Sequence, residues 1–405
     1  MNTSIKISND LYWVGASDRR LELFENAYPI PEGISYNSYL VLDDKNTIID
    51  GVDSSVVPRF IENIKSILGE KNLDYAIINH MEPDHCAGLI ELLLLYPNLK
   101  FIGNAKTYKL FKQFYPEVND SSFITVKEKD TFSTGKHEFT FYFAPMVHWP
   151  EVMNTYCNSM KVLFSADAFG SFGALNGNLF HDEIAYKEKY ISEARRYYSN
   201  IVGKYGFQTL ALLKKVSDLE INMICPLHGP IWRENLSTII EYYKKWASYT
   251  PEEQTACIVY GSIYGRTQEA ADLLSQKLSE NGIKNLSVLD CSKTHFSYII
   301  SEIFRCSNVI LLSSTYSNGL FPAMEFLLSE IVSHNICNRK LSIVENGSWA
   351  PQSAKLISEK VDTLKNWSII DPIITLKSRA DENNFNQIVQ LAENITNSIN
   401  SVSNS

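Results

Sequence analysis

His80-Met81-Glu82-Pro83-Asp84-His85 puts four potential metal-ligating side chains within six residues. The apolar run before it, Tyr75-Ala76-Ile77-Ile78-Asn79, reads as a buried strand. The run after it, from Cys86 to Leu95, reads as a helix. A strand end feeding a helix is a natural place for a site. Carboxylates and imidazoles packed this densely are costly to bury unless something satisfies them, and a bound cation does so.

Further along, three more donors follow strand-like runs. Phe139–Pro145 leads to His148, Lys161–Ala166 to Asp167, and Asn222–Leu227 to His228. A single histidine at a strand end is usually structural; a hexapeptide cluster joined by three such donors is not explained that way. The candidate ligands are therefore His80, Glu82, Asp84, His85, His148, Asp167 and His228. The set has no thiolate, so it is hard to borderline and suits non-haem iron, manganese or zinc. It is too large for one tetrahedral ion and suits two ions sharing a carboxylate. Cys225 reads as a small buried strand residue. His137, His181, His295 and His334 have no ligand companions in the sequence. Tyr197 and Tyr198 lie on a helix from which one of them can reach the site.

The chain has 405 residues, 45% apolar and 20% charged, enough for two or three domains with a sizeable core. A formal net charge of −9 argues against a general nucleic-acid binder and against anionic membranes. No run approaches the roughly 18 apolar residues of a membrane span, and the N-terminus lacks signal-peptide features. Seven scattered cysteines without a Cys-x-x-Cys pair favour a reducing cytoplasm and leave no paired-cysteine iron or zinc knuckle.

The pattern changes near Ser248–Gln254, which separates expected domains at 1–250 and 255–405. Helices are expected near 56–68, 183–200, 207–218 and 235–247 in the first. In the second, strands Cys257–Tyr260, Leu286–Asp290, Asn308–Ser313, Leu341–Glu345 and Ile369–Thr375 alternate with helices near 267–280, 294–305, 322–334, 352–364 and 382–399. That is the rhythm of a doubly wound parallel sheet. The Ser/Asn-rich tail after Asn397 is expected to fray.

Three loops of this second domain form a candidate cofactor site. Ser262-Ile263-Tyr264-Gly265-Arg266-Thr267 lies between the first strand and first helix. Hydroxyls, a glycine and a helix N-terminus there suit a phosphate. It is not a Gly-x-Gly-x-x-Gly fingerprint. Ser314-Thr315-Tyr316-Ser317-Asn318-Gly319 follows the third strand and Asn346-Gly347-Ser348-Trp349 the fourth. In an open parallel sheet these ends adjoin one another, and Tyr316 and Trp349 are placed to pack on a flat ring.

With these residues in view, His80-x-Glu82-x-Asp84-His85 with His148, Asp167 and His228 resembles the metallo-β-lactamase fold. Glu82 points to its diiron branch, the flavodiiron proteins (A-type flavoproteins). The likeness extends through Phe24-Glu25, Ser35–Tyr39, Ser165–Gly170 and Pro226–Pro230 and covers nearly the whole chain. The three loops resemble those of flavodoxin, with Tyr264 standing where the phosphate loop usually has a hydroxyl. The resemblance implies an α/β chain, an N-terminal metallo-β-lactamase-like αββα domain followed by a flavodoxin-like FMN domain, in the minimal form of the family. It implies one iron on His80, Glu82 and His148, a second on Asp84, His85 and His228, and Asp167 bridging them. It also implies a head-to-tail homodimer or a dimer of such dimers, and an external donor such as rubredoxin.

The expected activity is a cytoplasmic oxidoreductase that uses FMN and two iron ions to reduce dioxygen to water. Reduction of nitric oxide to nitrous oxide on the same ligands is the alternative. A dizinc hydrolase with a flavodoxin-like appendage, and a redox carrier with a vestigial metal domain, are the rival classes.

Overall fold

Short apolar runs in the N-terminal half pair into two sheets. One has the strand order Ile5–Lys6, Leu11–Trp13, Tyr39–Val41, Thr47–Ile49, Tyr75–Ile77, Lys100–Asn104 and Phe123–Val126. The other runs Thr131–Ser133, Glu138–Phe143, Met153–Cys157, Val162–Phe164 and Met223–Cys225. Both contribute to one apolar core that includes Tyr39, Ile49, Ile77, Phe141, Met153 and Phe164. Helix Ala105–Phe114 packs on the first sheet and Gly206–Val216 on the second, which makes a metallo-β-lactamase-like αββα sandwich. The computed structural model describes residues 2–185 and 190–403. These form two compact units, Met1–Lys244 and Lys245–Ser405.

In the C-terminal unit the sheet order is Ser287–Asp290, Glu253–Gly261, Cys306–Tyr316, Arg339–Asn346, then Trp367–Ile369 with Ile374–Leu376. All these pairings are parallel. The second strand in space is the first in sequence, so the chain reverses direction across the sheet beside Glu253–Gly261. This is the flavodoxin-like doubly wound order, and its switch point lies between that strand and Cys306–Tyr316.

The structure departs from the sequence expectations at four places. The helix expected from Cys86 to Leu95 is two helices, Pro83–Cys86 and Leu89–Leu95. Asp84 and His85 thus sit on a helical turn, with Pro83 in the first turn, where its missing N–H costs nothing. The strand expected over Ile369–Thr375 is interrupted around Asp371-Pro372, because proline cannot donate to a ladder. The stretch near 183–200 holds a short turn at His181–Glu183 and a helix only from Ile191 to Tyr197, followed by a π-turn; residues 186–189 lie outside the described residues. The tail stays helical to Ser403 instead of fraying at Asn397. Ile388, Leu391, Ala392, Ile395 and Ile399 are all buried in the core of this unit, and that stripe carries the helix past the polar composition.

Candidate metal centre

The seven candidate donors come from loops beyond strand ends and from the turn at Pro83–Cys86. The structure brings all seven together as two adjoining groups: His80, Glu82, His148 and Asp167, and Asp84, His85 and His228. In the first group, Glu82 Oε2 lies 3.2 Å from His80 Nε2 and 3.0 Å from His148 Nε2. Asp167 Oδ2 lies 3.2 and 3.3 Å from the same two nitrogens. In the second, Asp84 Oδ2 lies 3.4 Å from His85 Nε2 and 3.3 Å from His228 Nε2. Asp167 Oδ1 is 3.1 and 3.6 Å from those. One carboxylate therefore gives one oxygen to each group, which is the geometry of a bridge.

Of these contacts, those of His80 Nε2 with Glu82 Oε2 and of His85 Nε2 with Asp167 Oδ1 are hydrogen bonds; the rest are close approaches without a shared proton. Among the described residues, both carboxylate oxygens of Asp84, Asp167 Oδ2 and His228 Nε2 are buried with no hydrogen-bond partner. Nitrogens and carboxylate oxygens crowd toward a common point rather than pairing along donor directions. Such an arrangement is unfavourable by itself and is satisfied by cations at the two points of convergence. The charge balance agrees. Burial works against a proton on His148, yet Asp167 and Glu82 beside it raise it to about 9. Burial likewise opposes charge on His80, but the surrounding carboxylates outweigh it and lift it well above the usual histidine range. Against burial, the same imidazoles hold Asp167 well below the usual carboxylate range. The pocket thus attracts positive charge, and three carboxylates with four imidazoles match two divalent or trivalent ions.

The supporting roles of Ser35 and Asn37, which the sequence offered only as part of a resemblance, and those of Asp50 and Glu151, which it did not offer at all, come from the structure. His228 Nδ1 donates to Ser35 O at 2.7 Å. Asn37 Nδ2 donates to Pro226 O and Gly229 O, at 2.9 and 2.8 Å, which fixes the His228 loop. Asp50 is fully buried and accepts from Asn79 N, Asn79 Nδ2 and His80 N. It thereby holds the strand end that presents His80. Glu151 accepts from His80 Nδ1 at 2.8 Å. The only local signal for any of these was a polar residue beside an apolar run, a common feature. Tyr197 packs against His228 with ring centroids 5.4 Å apart, whereas Tyr198 turns to Tyr243. Phe24 and Tyr36 complete an aromatic wall around His228. A cavity of about 340 Å³ opens onto Glu82 and Asp84 past Phe24, Glu25 and Tyr36. At its mouth, burial and the adjacent Glu82 carboxylate push Glu25 up to about 8.

In the C-terminal unit the three candidate loops leave neighbouring strand ends, since Ser313 pairs with both Gly261 and Glu345. Gly265 has φ 89° and precedes helix Arg266–Glu280, and its N–H donates to Ser262 Oγ. Ser317 and Asn318 adopt φ 49° and 61° in the turn between Tyr316 and Gly319. Asn346 exchanges hydrogen bonds with Ser378, whose hydroxyl also meets that of Ser348. A Cβ at Gly347 would lie 2.9 Å from Pro351 Cα, so the turn requires glycine. Several predicted groups already have partners within the chain. Arg266 is paired with Glu269, Thr267 shares a hydrogen bond with Ser314, and Thr315 Oγ1 accepts from Gln352 N and Ser353 N. Besides the polar Arg266, Ser317, Asn318 and Ser348, large rings stand exposed: Tyr264 is 94% exposed, Trp349 71% and Tyr316 48%, with Ile263 beside them. A helix N-terminus preceded by a left-handed glycine, and unburied flat rings beside it, fit a phosphorylated, planar cofactor such as FMN.

A family profile described as ODP family beta lactamase matches residues 34–229. An uncharacterised protein of Methanocaldococcus jannaschii is 35% identical over 318 residues, 78% of this chain and 79% of that protein. The anaerobic nitric oxide reductase flavorubredoxin of Escherichia coli is 30% identical over 365 residues, 88% of this chain and 75% of that protein. Among solved structures, the rubredoxin oxygen:oxidoreductase of the anaerobe Desulfovibrio gigas superposes with a TM-score of 0.92 at 28% identity. The match covers 98% of this chain and 99% of that one.

Proposed function

The chain belongs to the flavodiiron protein family and is an oxidoreductase; from that premise we propose that it reduces dioxygen to water with FMN and two iron ions. The observation that carries this is Asp167, with one oxygen in each donor group. A small diatomic molecule can be met by two metal ions together only if a bridge holds them close. The diiron ligands would be His80, Glu82 and His148 on one side, Asp84, His85 and His228 on the other, and Asp167 between. FMN would lie in the loops Ser262–Thr267, Ser314–Gly319 and Asn346–Trp349. When bound, iron and FMN supply the one-electron chemistry and its storage.

The chain's own residues do the rest. Glu82, Asp84 and Asp167 compensate the charge of the ions. Phe24, Tyr36 and Tyr197 exclude water from the His228 side of the pocket. The reduction consumes protons, and the Glu25 carboxyl stands at the cavity mouth beside Glu82, where a carboxyl can relay them. The N–H groups opening helix Arg266–Glu280, after the turn at Gly265, would hold the phosphate, and Tyr316 and Trp349 would pack on the flavin ring.

Reduction of nitric oxide to nitrous oxide is the second reading, favoured by the Escherichia coli relative, which is named for that activity. The donor is proposed to be rubredoxin or a protein like it, and the working form a head-to-tail homodimer in the cytoplasm. No helix among the described residues is long and apolar enough to cross a membrane. The test is to measure consumption of both gases by one reduced, iron-loaded sample. Faster consumption of dioxygen is expected. Faster loss of nitric oxide moves the assignment to the second reading, and a colourless zinc protein without flavin overturns both.

A further inference from the structure

The two donor groups are alike in type but not in what stands behind them. His228 donates its outer nitrogen to a neutral backbone carbonyl, Ser35 O. His85 Nδ1 is buried and has no hydrogen-bond partner among the described residues. Among the described residues the His80 ring is hydrogen-bonded from behind to a carboxylate, Glu151, which is 0% exposed, whereas the buried Asp50 meets the His85 side through its charge and without a ring hydrogen bond. Glu151 Oε1 accepts from both His80 Nδ1 and Met81 N, at 2.8 and 2.9 Å, and its Oε2 is buried without a partner. Among the described residues no lysine or arginine pairs with it. Its backbone is anchored as well, because Asn104 Nδ2 donates to Glu151 O while Asn104 Oδ1 caps helix Ala105–Phe114.

A carboxylate with no cation beside it is expensive to bury. Here the compensating charge can lie only through the imidazole, on the other side of His80. Met81 N also approaches His80 Nδ1, at 3.1 Å; with the Glu151 carboxylate as acceptor, Nδ1 carries the proton and Nε2, which faces Glu82 and Asp167, would be the nitrogen that ligates a metal ion. The negative charge raises the basicity of that nitrogen. Glu151 lies three residues after His148, so one short loop both supplies a ligand to this group and backs another.

We propose that Glu151 is a positioning residue that orients His80 and makes the two metal positions unequal, favouring the higher positive charge at the His80–Glu82–His148 position. Its redox half rests on the diiron reading above; its metal-affinity half does not. In the iron-loaded protein the ion at this position is then the harder of the two to reduce, and the first electron goes to the Asp84–His85–His228 side.

Cobalt(II) serves as the probe, titrated into the metal-free full-length chain and followed by its visible absorption, in wild type and Glu151→Gln. Glutamine keeps an acceptor oxygen for His80 and Met81 and removes the charge. One of the two binding steps is expected to weaken about 10- to 100-fold while the other holds. Redox titration of the iron-loaded proteins gives the second readout: the two reduction steps move closer together in the variant because the lower potential rises. Two unchanged binding steps overturn the proposal, as does equal weakening of both, the mark of a merely structural residue. If the glutamine variant does not fold, Glu151→Asp enters the same titration; a smaller weakening of that one step supports the proposal and an unchanged step overturns it. A redox-silent wild type sinks the diiron reading but leaves the cobalt titration to decide the role of Glu151.

Discussion

At the metal pocket Asp167, His80, His85 and His228 are fully buried and held by partners from distant segments. At the loops of the C-terminal sheet Tyr264, Tyr316 and Trp349 stand in solvent, and it is the backbone around them that is tied down. The first region stores uncompensated polar groups and depends on a cation to relieve them. The second exposes apolar rings that a flat ligand would cover. The two should therefore respond to mutation in opposite ways: the pocket steeply and through charge, the loops mildly and through contact area.

The largest effect is expected at Asp167. Asp167→Ala removes the shared carboxylate, and gas consumption should fall by more than ~100-fold, beyond the usual cost of losing an outer partner. Iron content should drop while bound flavin stays at the wild-type level, as read by metal analysis and absorbance. Retention of both irons would break the contrast. Next comes the opposite end of the strand that feeds the Trp349 loop. Arg339 is buried, and its guanidinium donates to the carbonyls of Ile303, Tyr249, Cys337, Asn338 and Phe304. Burial pulls its pKa down to about 10, so it is still charged at neutral pH. Arg339→Leu should destabilise the C-terminal unit by about 3 kcal/mol or more, because several buried carbonyls lose their donor. Flavin should then be released at lower urea in an equilibrium denaturation.

A smaller change is expected at Trp349. Trp349→Ala should weaken FMN binding about 10-fold, on the order of 1.4 kcal/mol of lost ring contact, with iron content unaltered. Fluorescence titration of the flavin checks it, and an effect as steep as that of Asp167→Ala would erase the distinction. The smallest effect lies away from both regions. Asp43 accepts from Thr134 Oγ1 and from the N–H groups of Lys136, His137 and Asp44. Despite partial burial, these donors hold its pKa at about 2. Since the folded value is depressed, its stabilisation is present above pH ~4 and is lost as pH falls through about 2. Asp43→Asn should cost about 1 kcal/mol at pH 7, and the gap from wild type should close on acidification while both cofactors remain bound at neutral pH.

Much of the architecture was legible because it is local. Period-two and period-3.6 apolar patterns and the regular strand–helix alternation after Ala256 mark the elements of both units. The misreadings were also local: Pro372 inside an apolar run, the break between Cys86 and Leu89, and a polar tail whose buried face continues to Ile399. At the site, the donor types could be read directly, since residues such as Glu82 and Asp84 stand beside two histidines in one hexapeptide. Their supports could not. Glu151 lies 71 residues from His80, and Ser35 lies 193 from His228. No periodicity joins such pairs.

His80-Met81-Glu82-Pro83-Asp84-His85 and the three later donors determined by themselves that this chain suits hard-to-borderline metal ions, because ligand chemistry belongs to the side chain. The division of the donors into two groups with Asp167 between them came from the family resemblance; only the tertiary structure decided the distances at which Asp167 turns one oxygen to each group, and that a buried glutamate backs one histidine while a neutral carbonyl backs another. Those features depend on ångström-scale convergence of segments far apart in the chain, and packing sets that convergence.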